Sequence, residues 1–164
     1  MLFTSSFSKT VAPGLRVGYL VAPAEIAGPL AAAASRTYIS PALLAEAAVH
    51  QLISSGGLPG NVARVTELMR ERRDAMVAGL GELPEGTRCV PPAGGFFIWL
   101  TLPEGLSADA LFDDAAAAGV AYVKGSDCFA SGGERTPRLA YSGVGPGEIG
   151  EGMRRLGGVF RGAA

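Results

Sequence analysis

A lysine and an arginine near the N-terminus are spaced so that they could act on a carbonyl compound that carries a phosphate. Lys9 follows the hydroxyl side chains of Ser6 and Ser8. Arg16 comes seven residues later, after a Pro-Gly pair. A lysine amine can form a Schiff base with a carbonyl group, and pyridoxal phosphate is the commonest carbonyl cofactor. Short hydroxyls and a guanidinium suit its phosphate. The same residues are also ordinary in a solvated loop, so both interpretations stay open at this point.

The two motifs around this lysine resemble a segment of a known enzyme family. Residues 6–9 read Ser-Phe-Ser-Lys, and residues 13–19 read Pro-Gly-Leu-Arg-Val-Gly-Tyr. Together they resemble the lysine segment of fold-type I aminotransferases. The similar group is class I/II, with the 2-aminoadipate and kynurenine aminotransferases and the aminotransferase-like domains of MocR-type regulators. The resemblance implies that Lys9 forms the internal aldimine with pyridoxal 5'-phosphate and carries the proton of the 1,3-shift. It also implies phosphate binding by Ser6, Ser8 and Arg16.

The second half of the chain resembles the small domain of the same family. Residues 92–100 are similar to its glycine-rich strand entry. Residues 122–129 are similar to a loop that usually reads Pro-Gly-x-x-Phe, with Lys124 in place of the proline. Residues 138–142 are similar to the strand whose arginine grips the substrate carboxylate, so the resemblance implies that Arg138 anchors the substrate. A guanidinium suits that task because its fork fits a carboxylate bidentately. The alternative for Arg138 is a structural ion pair at a strand end. Gly95 would let the substrate approach the backbone closely.

The resemblance implies an α/β fold in three parts. Residues 1–60 would be the end of the large-domain sheet with the lysine loop. Residues 61–86 would be a long linking helix, and residues 87–164 an α/β small domain.

Hydrophobic patterning and breaker residues predict the elements that position these side chains. Strands are predicted over residues 2–7, 17–22, 87–90, 96–102, 120–123 and 138–142. Helices are predicted over residues 24–35, 41–55, 62–80, 107–118 and from 146 onward. Strands 17–22 and 96–102 are expected to be buried, the latter on both faces. Ser40, Asn61 and Ser107 are the predicted N-cap residues.

Composition excludes several classes of partner. The formal net charge is −1, and acidic residues interleave with the basic ones of helix 62–80. We therefore expect the charged residues of this helix, Arg72 and Arg73 among them, to form a solvated face, and no nucleic acid partner. No run of about 18 apolar residues and no signal peptide is evident, which predicts no membrane partner and a cytoplasmic setting. Cys89, Cys128 and the single histidine, His50, have no spacing for a metal site or a disulfide framework.

The chain begins only eight residues before Lys9, although the resemblance covers nearly all of it. In the family, earlier segments supply a glycine-rich phosphate turn, the aromatic that stacks on the cofactor and the aspartate that pairs with the pyridine nitrogen. We therefore expect the C-terminal part of an aminotransferase, incomplete as a single chain. Its substrates would be an amino acid and a 2-oxo acid, and its partner a second copy in a homodimer or a complementary N-terminal chain.

Two alternatives to catalysis stay open. The chain could be a non-catalytic binding or assembly module, which an exposed apolar patch near residues 1–22 would favour. A split enzyme, of which this chain would be half, would instead keep the activity. The chain could also be the C-terminal end of a MocR-type regulator.

Overall fold

The computed structural model describes residues 1–163, which form two compact units, residues 1–65 and residues 66–163. The strands are β1 (Phe3–Ser6), β2 (Gly18–Val21), β3 (Arg88–Cys89), β4 (Phe97–Thr101) and β5 (Arg138–Ala140). The α-helices are α1 (Ala24–Thr37), α2 (Leu43–Ser54), α3 (Gly57–Ala78), α4 (Phe112–Ala117) and α5 (Pro146–Gly162). The predicted mixture of helices and strands is confirmed. None of the helices within residues 1–163 is long and apolar enough to cross a membrane.

The first unit has little core of its own. Strands β1 and β2 pair antiparallel, with Phe3 opposite Val21 and Ser6 opposite Gly18. All eight of their residues are exposed, and within residues 1–65 only Val49 is a buried hydrophobic residue. The prediction of a buried strand at residues 17–22 was therefore wrong. A two-stranded ribbon provides no second layer to cover its apolar side chains, and the sequence pattern of β2 carries no information about that layer.

Both helix caps predicted within residues 1–65 were wrong. Helix α2 begins at Leu43 with Ala42 as its N-cap residue, because the left-handed Ile39 (φ 68°) turns the chain and commits the Ser40 amide to the Tyr38 carbonyl. Helix α3 begins at Gly57, so Asn61 lies inside the helix and cannot be its cap.

The second unit packs its helices on one face of a three-stranded antiparallel sheet of order β3-β4-β5. Along β4, Ile98 and Leu100 are buried while Phe97 and Trp99 on the other face are not. The expectation that this strand is buried on both faces was wrong. A run of apolar residues does not itself show how many faces are covered.

The core of the second unit is one cluster of buried side chains. The cluster includes Met76, Ile98, Leu100, Leu102, Tyr122, Leu139, Tyr141, Ile149, Met153, Leu156 and Phe160. The apolar stripe predicted for the last helix is confirmed, since Ile149, Met153, Leu156 and Phe160 of α5 are all buried.

Two further predictions in this unit were wrong. Residues 120–123 form no strand; Val123 makes only an isolated bridge with Arg138. Ser107 accepts a hydrogen bond from the Ala110 amide and so caps a turn, whereas helix α4 begins only at Phe112. At Ser107 a local turn satisfies the backbone before helix α4 begins. At Val123 the pairing is limited to its two backbone hydrogen bonds with Arg138.

Candidate functional site

The lysine loop is the connection between β1 and β2, and backbone hydrogen bonds close it at its base. The Phe7 amide donates to the Val17 carbonyl (3.0 Å), and the Val11 amide donates to the Phe7 carbonyl (2.8 Å). The Phe7 ring also contacts the ring of Tyr19, with centroids 5.3 Å apart. The ribbon therefore holds Lys9 in an ordered loop and not at the end of a free arm.

This loop collects positive charge and hydroxyl groups. Lys9 and Arg16 are exposed, as is Ser6, while Ser8 is half-buried. Residues 1–22 contain no aspartate or glutamate, so the two cations of the loop have no acid on their own ribbon. An amine, a guanidinium and two hydroxyls on one loop match the donors that a phosphate dianion requires.

Arg16 has an unusual backbone conformation. Its φ is 55°, which is in the left-handed region that few residues other than glycine adopt. Its guanidinium Nη1 donates to the Pro13 carbonyl at 3.4 Å, across the short 3-10 helix Pro13–Leu15. Such conformations are concentrated at ligand-binding sites, where surrounding structure maintains them.

Asn61 holds the lysine loop from helix α3. Its side-chain amide donates to the Thr10 carbonyl at 2.6 Å, one residue after Lys9. Asn61 therefore holds a loop, and not the helix end for which it was predicted as a cap. No local pattern could have found this contact, since the two residues are 51 positions apart.

Arg138 lies on β5, on the sheet face that points away from the core. It is opposite Trp99 in the ladder, and its guanidinium carbon lies 4.6 Å from the centroid of the Phe97 ring. Its Nε atom is buried and has no hydrogen-bond partner among residues 1–163. None of the ion pairs among these residues involves Arg138, so the alternative of a structural ion pair has no support.

Gly95 lies in the loop that enters β4. Its φ is 95°, a conformation that L side chains rarely adopt, and a Cβ atom built there would meet no described atom within 4 Å. The backbone conformation, and not crowding by the protein, requires glycine here. The space in front of Gly95 is open.

Two arginines of α3 fix the ends of β4 and β5. Arg73 Nη1 donates to the carbonyls of Pro92 and Ala93, both at 3.4 Å, and Arg72 Nη1 donates to the Ser142 carbonyl at 2.5 Å. The expectation of a solvated helix face is wrong for both arginines. Their partners lie 19 to 70 positions further along the chain, beyond the range of a helical pattern.

The loop after residue 123 departs from the family's usual sequence at Lys124, and the structure gives this residue a partner. Its Nζ atom lies 4.7 Å from the centroid of the Phe112 ring. Gly125 follows, and a Cβ atom there would overlap Thr136 and Gly133. The loop ends at Phe129, whose ring contacts Trp99 at 5.8 Å between centroids.

Burial shifts the pKa of two tyrosines in the second unit. Burial and, to a smaller extent, the nearby carboxylates of Asp109 and Asp114 raise the pKa of Tyr122 to about 12. Burial also raises the pKa of Tyr141, while the Arg73 guanidinium opposes that shift. Residues 1–163 contain no group of three or more histidine, cysteine or acidic side chains that could hold a metal ion.

Comparison with protein families gives one match that covers most of the chain. The model of aminotransferase class I and II matches residues 1–156. Among curated proteins, the 2-aminoadipate transaminase of Thermus thermophilus is 39% identical over 164 residues, which are 99% of this chain and 41% of that protein. The HTH-type transcriptional regulator TauR of Rhodobacter capsulatus is 31% identical over 98% of this chain and 34% of its own length. The chain therefore spans about two fifths of the length of the curated enzymes it matches.

Solved structures give the same answer for the fold. The α-aminoadipate aminotransferase of Thermus thermophilus, solved with N-(5'-phosphopyridoxyl)-L-leucine, superposes with a TM-score of 0.92 at 39% identity, over 99% of this chain and 42% of that one. The kynurenine aminotransferase of Pyrococcus horikoshii superposes with a TM-score of 0.89 at 30% identity, over 98% of this chain and 40% of that one. The family expected from the two sequence motifs is confirmed.

Proposed function

Because this chain belongs to the class I and II aminotransferases, of fold type I, we propose that it takes part in the transfer of an amino group between an amino acid and a 2-oxo acid. The observation that carries the proposal is the state of Arg138. Its guanidinium lies on an open sheet face with a buried, unpartnered Nε and without an acidic partner among residues 1–163. A cation in that state suits an incoming carboxylate.

The lysine loop supports pyridoxal 5'-phosphate as the cofactor. Ser6, Ser8 and Arg16 offer hydroxyl and guanidinium donors for its phosphate, on a ribbon without acids. When bound, pyridoxal phosphate supplies an aldehyde for amines and a ring that stores the electron pair released at the substrate α-carbon. Lys9 would hold the cofactor through its amine, and its Nζ atom would carry the proton removed from the substrate α-carbon.

Arg138 and Gly95 would serve the substrate. A bidentate contact from Arg138 fixes the carboxylate and so limits rotation of the bond that loses the proton, and orientation of this kind is worth several kcal/mol, up to about 7–11 kcal/mol. The missing side chain at Gly95 leaves the backbone beside this strand open to approach.

The domain assignment follows from the family and remains part of the proposal. Residues 1–60 would be the C-terminal part of the cofactor-binding large domain, residues 61–86 the linking helix and residues 87–164 the small domain. The protein would act in the cytoplasm. Its partner would be a second copy of this chain or a complementary N-terminal chain.

An isotope experiment tests amino transfer directly. The purified chain with pyridoxal phosphate is given ¹⁵N-labelled L-2-aminoadipate, L-leucine or L-kynurenine together with 2-oxoglutarate. The account predicts ¹⁵N in newly formed glutamate, and none with the Lys9→Ala variant. Because the chain covers two fifths of its relatives' length, a parallel sample contains the N-terminal three fifths of the Thermus thermophilus enzyme. Label transfer in neither sample would contradict the proposal.

A second candidate function is a binding or assembly module, and the exposed ribbon of the first unit favours it. Leu2, Phe3, Tyr19, Leu20 and Val21 are all more than 40% exposed. Apolar surface of this kind on neighbouring strands marks an interaction site. The resemblance to TauR keeps a regulatory role within this candidate. The same isotope experiment separates the two, because a module without turnover moves no label.

A further inference from the structure

The Arg138 guanidinium lies over an aromatic ring. Phe97 is two residues before Trp99, the residue directly opposite Arg138, so the Phe97 ring and the guanidinium meet diagonally across the β4-β5 ladder. The guanidinium carbon lies 4.6 Å from the ring centroid, which is within cation-π distance. Among residues 1–163, no hydrogen bond joins the Arg138 guanidinium to another residue.

A ring and a carboxylate have different consequences for a cation that must bind an anion. A carboxylate partner would neutralise Arg138 and occupy the edge of its fork, which is the part that a ligand carboxylate needs. An aromatic ring contacts the flat face and leaves both the charge and the edge donors available. Phe97 therefore fixes the guanidinium without consuming its binding capacity.

The burial of Phe97 also indicates a role other than packing. On the same strand Ile98 and Leu100 are 1% and 0% exposed and form the core, whereas Phe97 is 37% exposed on the opposite face. Its ring therefore lies outside the core and contacts the Arg138 guanidinium instead.

We propose that Phe97 is a positioning residue that holds the Arg138 guanidinium flat and ready for bidentate binding of a substrate carboxylate. The inference rests on the proposed role of Arg138 as a carboxylate anchor. It adds that carboxylate affinity depends on an aromatic ring at position 97, and not merely on an apolar side chain there.

The chain provides its own probe for this test. Trp99 is the only tryptophan, and it is directly opposite Arg138 in the ladder. The titration uses 4-methylpentanoate, a carboxylate that cannot react with Lys9, and 4-methylpentanamide as the uncharged control ligand. Trp99 fluorescence gives the dissociation constants, and ¹⁵N-arginine spectra follow the Arg138 Nε–H signal, which is assigned by its loss in Arg138→Lys.

We expect saturable binding of the carboxylate but not of the amide. Phe97→Leu should raise the dissociation constant about fivefold to tenfold, and Phe97→Tyr should stay within about twofold of the unchanged chain. Phe129→Leu is the matched control, since it removes another exposed ring of this face, one that contacts Trp99. It should also stay within about twofold. Melting temperatures of all variants show that they are folded.

Three results would overturn the inference, and they are distinguishable. Equal affinity of Phe97→Leu and the unchanged chain would refute the role of Phe97 while leaving Arg138 as the anchor. An unchanged chain that does not bind the carboxylate would refute the anchor itself, and with it the proposed function. If Phe97→Leu does not fold, an Arg138 Nε–H signal without a ring-current shift in the unchanged chain would refute the contact.

Discussion

Arg138, the proposed substrate anchor, is a cation without an acidic partner among residues 1–163. Replacing Arg138 with alanine should weaken amino-acid binding about tenfold or more, the cost of losing hydrogen bonds to a charged group. Attachment of pyridoxal phosphate to Lys9 should change little. Absorbance titrations of the reconstituted chain, first with the cofactor and then with amino acid, measure both. A larger loss of cofactor than of amino-acid affinity would contradict the assigned role.

Arg16 should bind the phosphate of the cofactor. Arg16→Ala removes the guanidinium from a ribbon without acids, so the preference for pyridoxal phosphate over pyridoxal should fall about tenfold or more. Competition between the two aldehydes, analysed by mass after reduction, gives this preference. Arg36→Ala, on helix α1, is the control and should leave it unchanged. An undiminished preference in Arg16→Ala would place the phosphate elsewhere.

Tyr122 should limit stability at high pH. Its hydroxyl donates to the Ala108 carbonyl, and burial raises its pKa to about 12 from the ordinary value of 10.0. A raised folded-state pKa gives stability that is complete below pH 10 and is lost as the pH rises towards 12. Urea unfolding between pH 9 and 12 should show this loss, and Tyr122→Phe should reduce it. The exposed Tyr38→Phe is the control, and an equally steep loss in Tyr122→Phe would contradict the account.

At the scale of elements, one glycine of α5 allows the helix to pack. A Cβ atom at Gly157 would overlap the Glu82 carbonyl, whereas one at Gly158 would meet nothing within 4 Å. Gly157→Ala should therefore lower the free energy of unfolding by about 1–3 kcal/mol, as overpacking does. Gly158→Ala should raise it by about 0.5–1 kcal/mol because it removes backbone freedom from a helix. Chemical unfolding of this matched pair measures both values, and equal signs would show that α5 packs differently.

At the scale of the whole molecule, the apolar exposure of the first unit predicts association. Ile39, Leu43 and Leu44 are 82%, 76% and 84% exposed, and Val49 is the only buried hydrophobic residue of residues 1–65. Light scattering should give a mass of at least twice 16.7 kDa, unless another polypeptide covers this surface. Leu43→Glu with Leu44→Glu should shift the mass towards the monomer. A monomer at all concentrations before substitution would contradict the prediction.

The sequence predicted what is local and missed what depends on distant partners. The lysine loop is contiguous, so its residue types and the Pro-Gly turn could be recognised, and the stripe of α5 follows from spacing alone. The contact of Asn61 with Thr10 and that of Arg73 with Pro92 join separate parts of the chain. The exposure of β2 depends on what lies over it, which its own residues do not encode. The contact of Phe97 with Arg138 needs the register of a β-ladder, which two aligned motifs do not give.

The most direct test of the central claim is to locate the pyridoxal phosphate attachment. The chain is incubated with the cofactor, reduced with borohydride and digested, and the labelled peptide is found by mass. Lys9 and Lys124 are the only lysines, so Lys124→Ala controls for the other side-chain amine, and the mass of the peptide that begins at Met1 controls for the α-amine. The account predicts label on Lys9, retained in Lys124→Ala and lost in Lys9→Ala. Label on Lys124, or label that survives in Lys9→Ala, would contradict it.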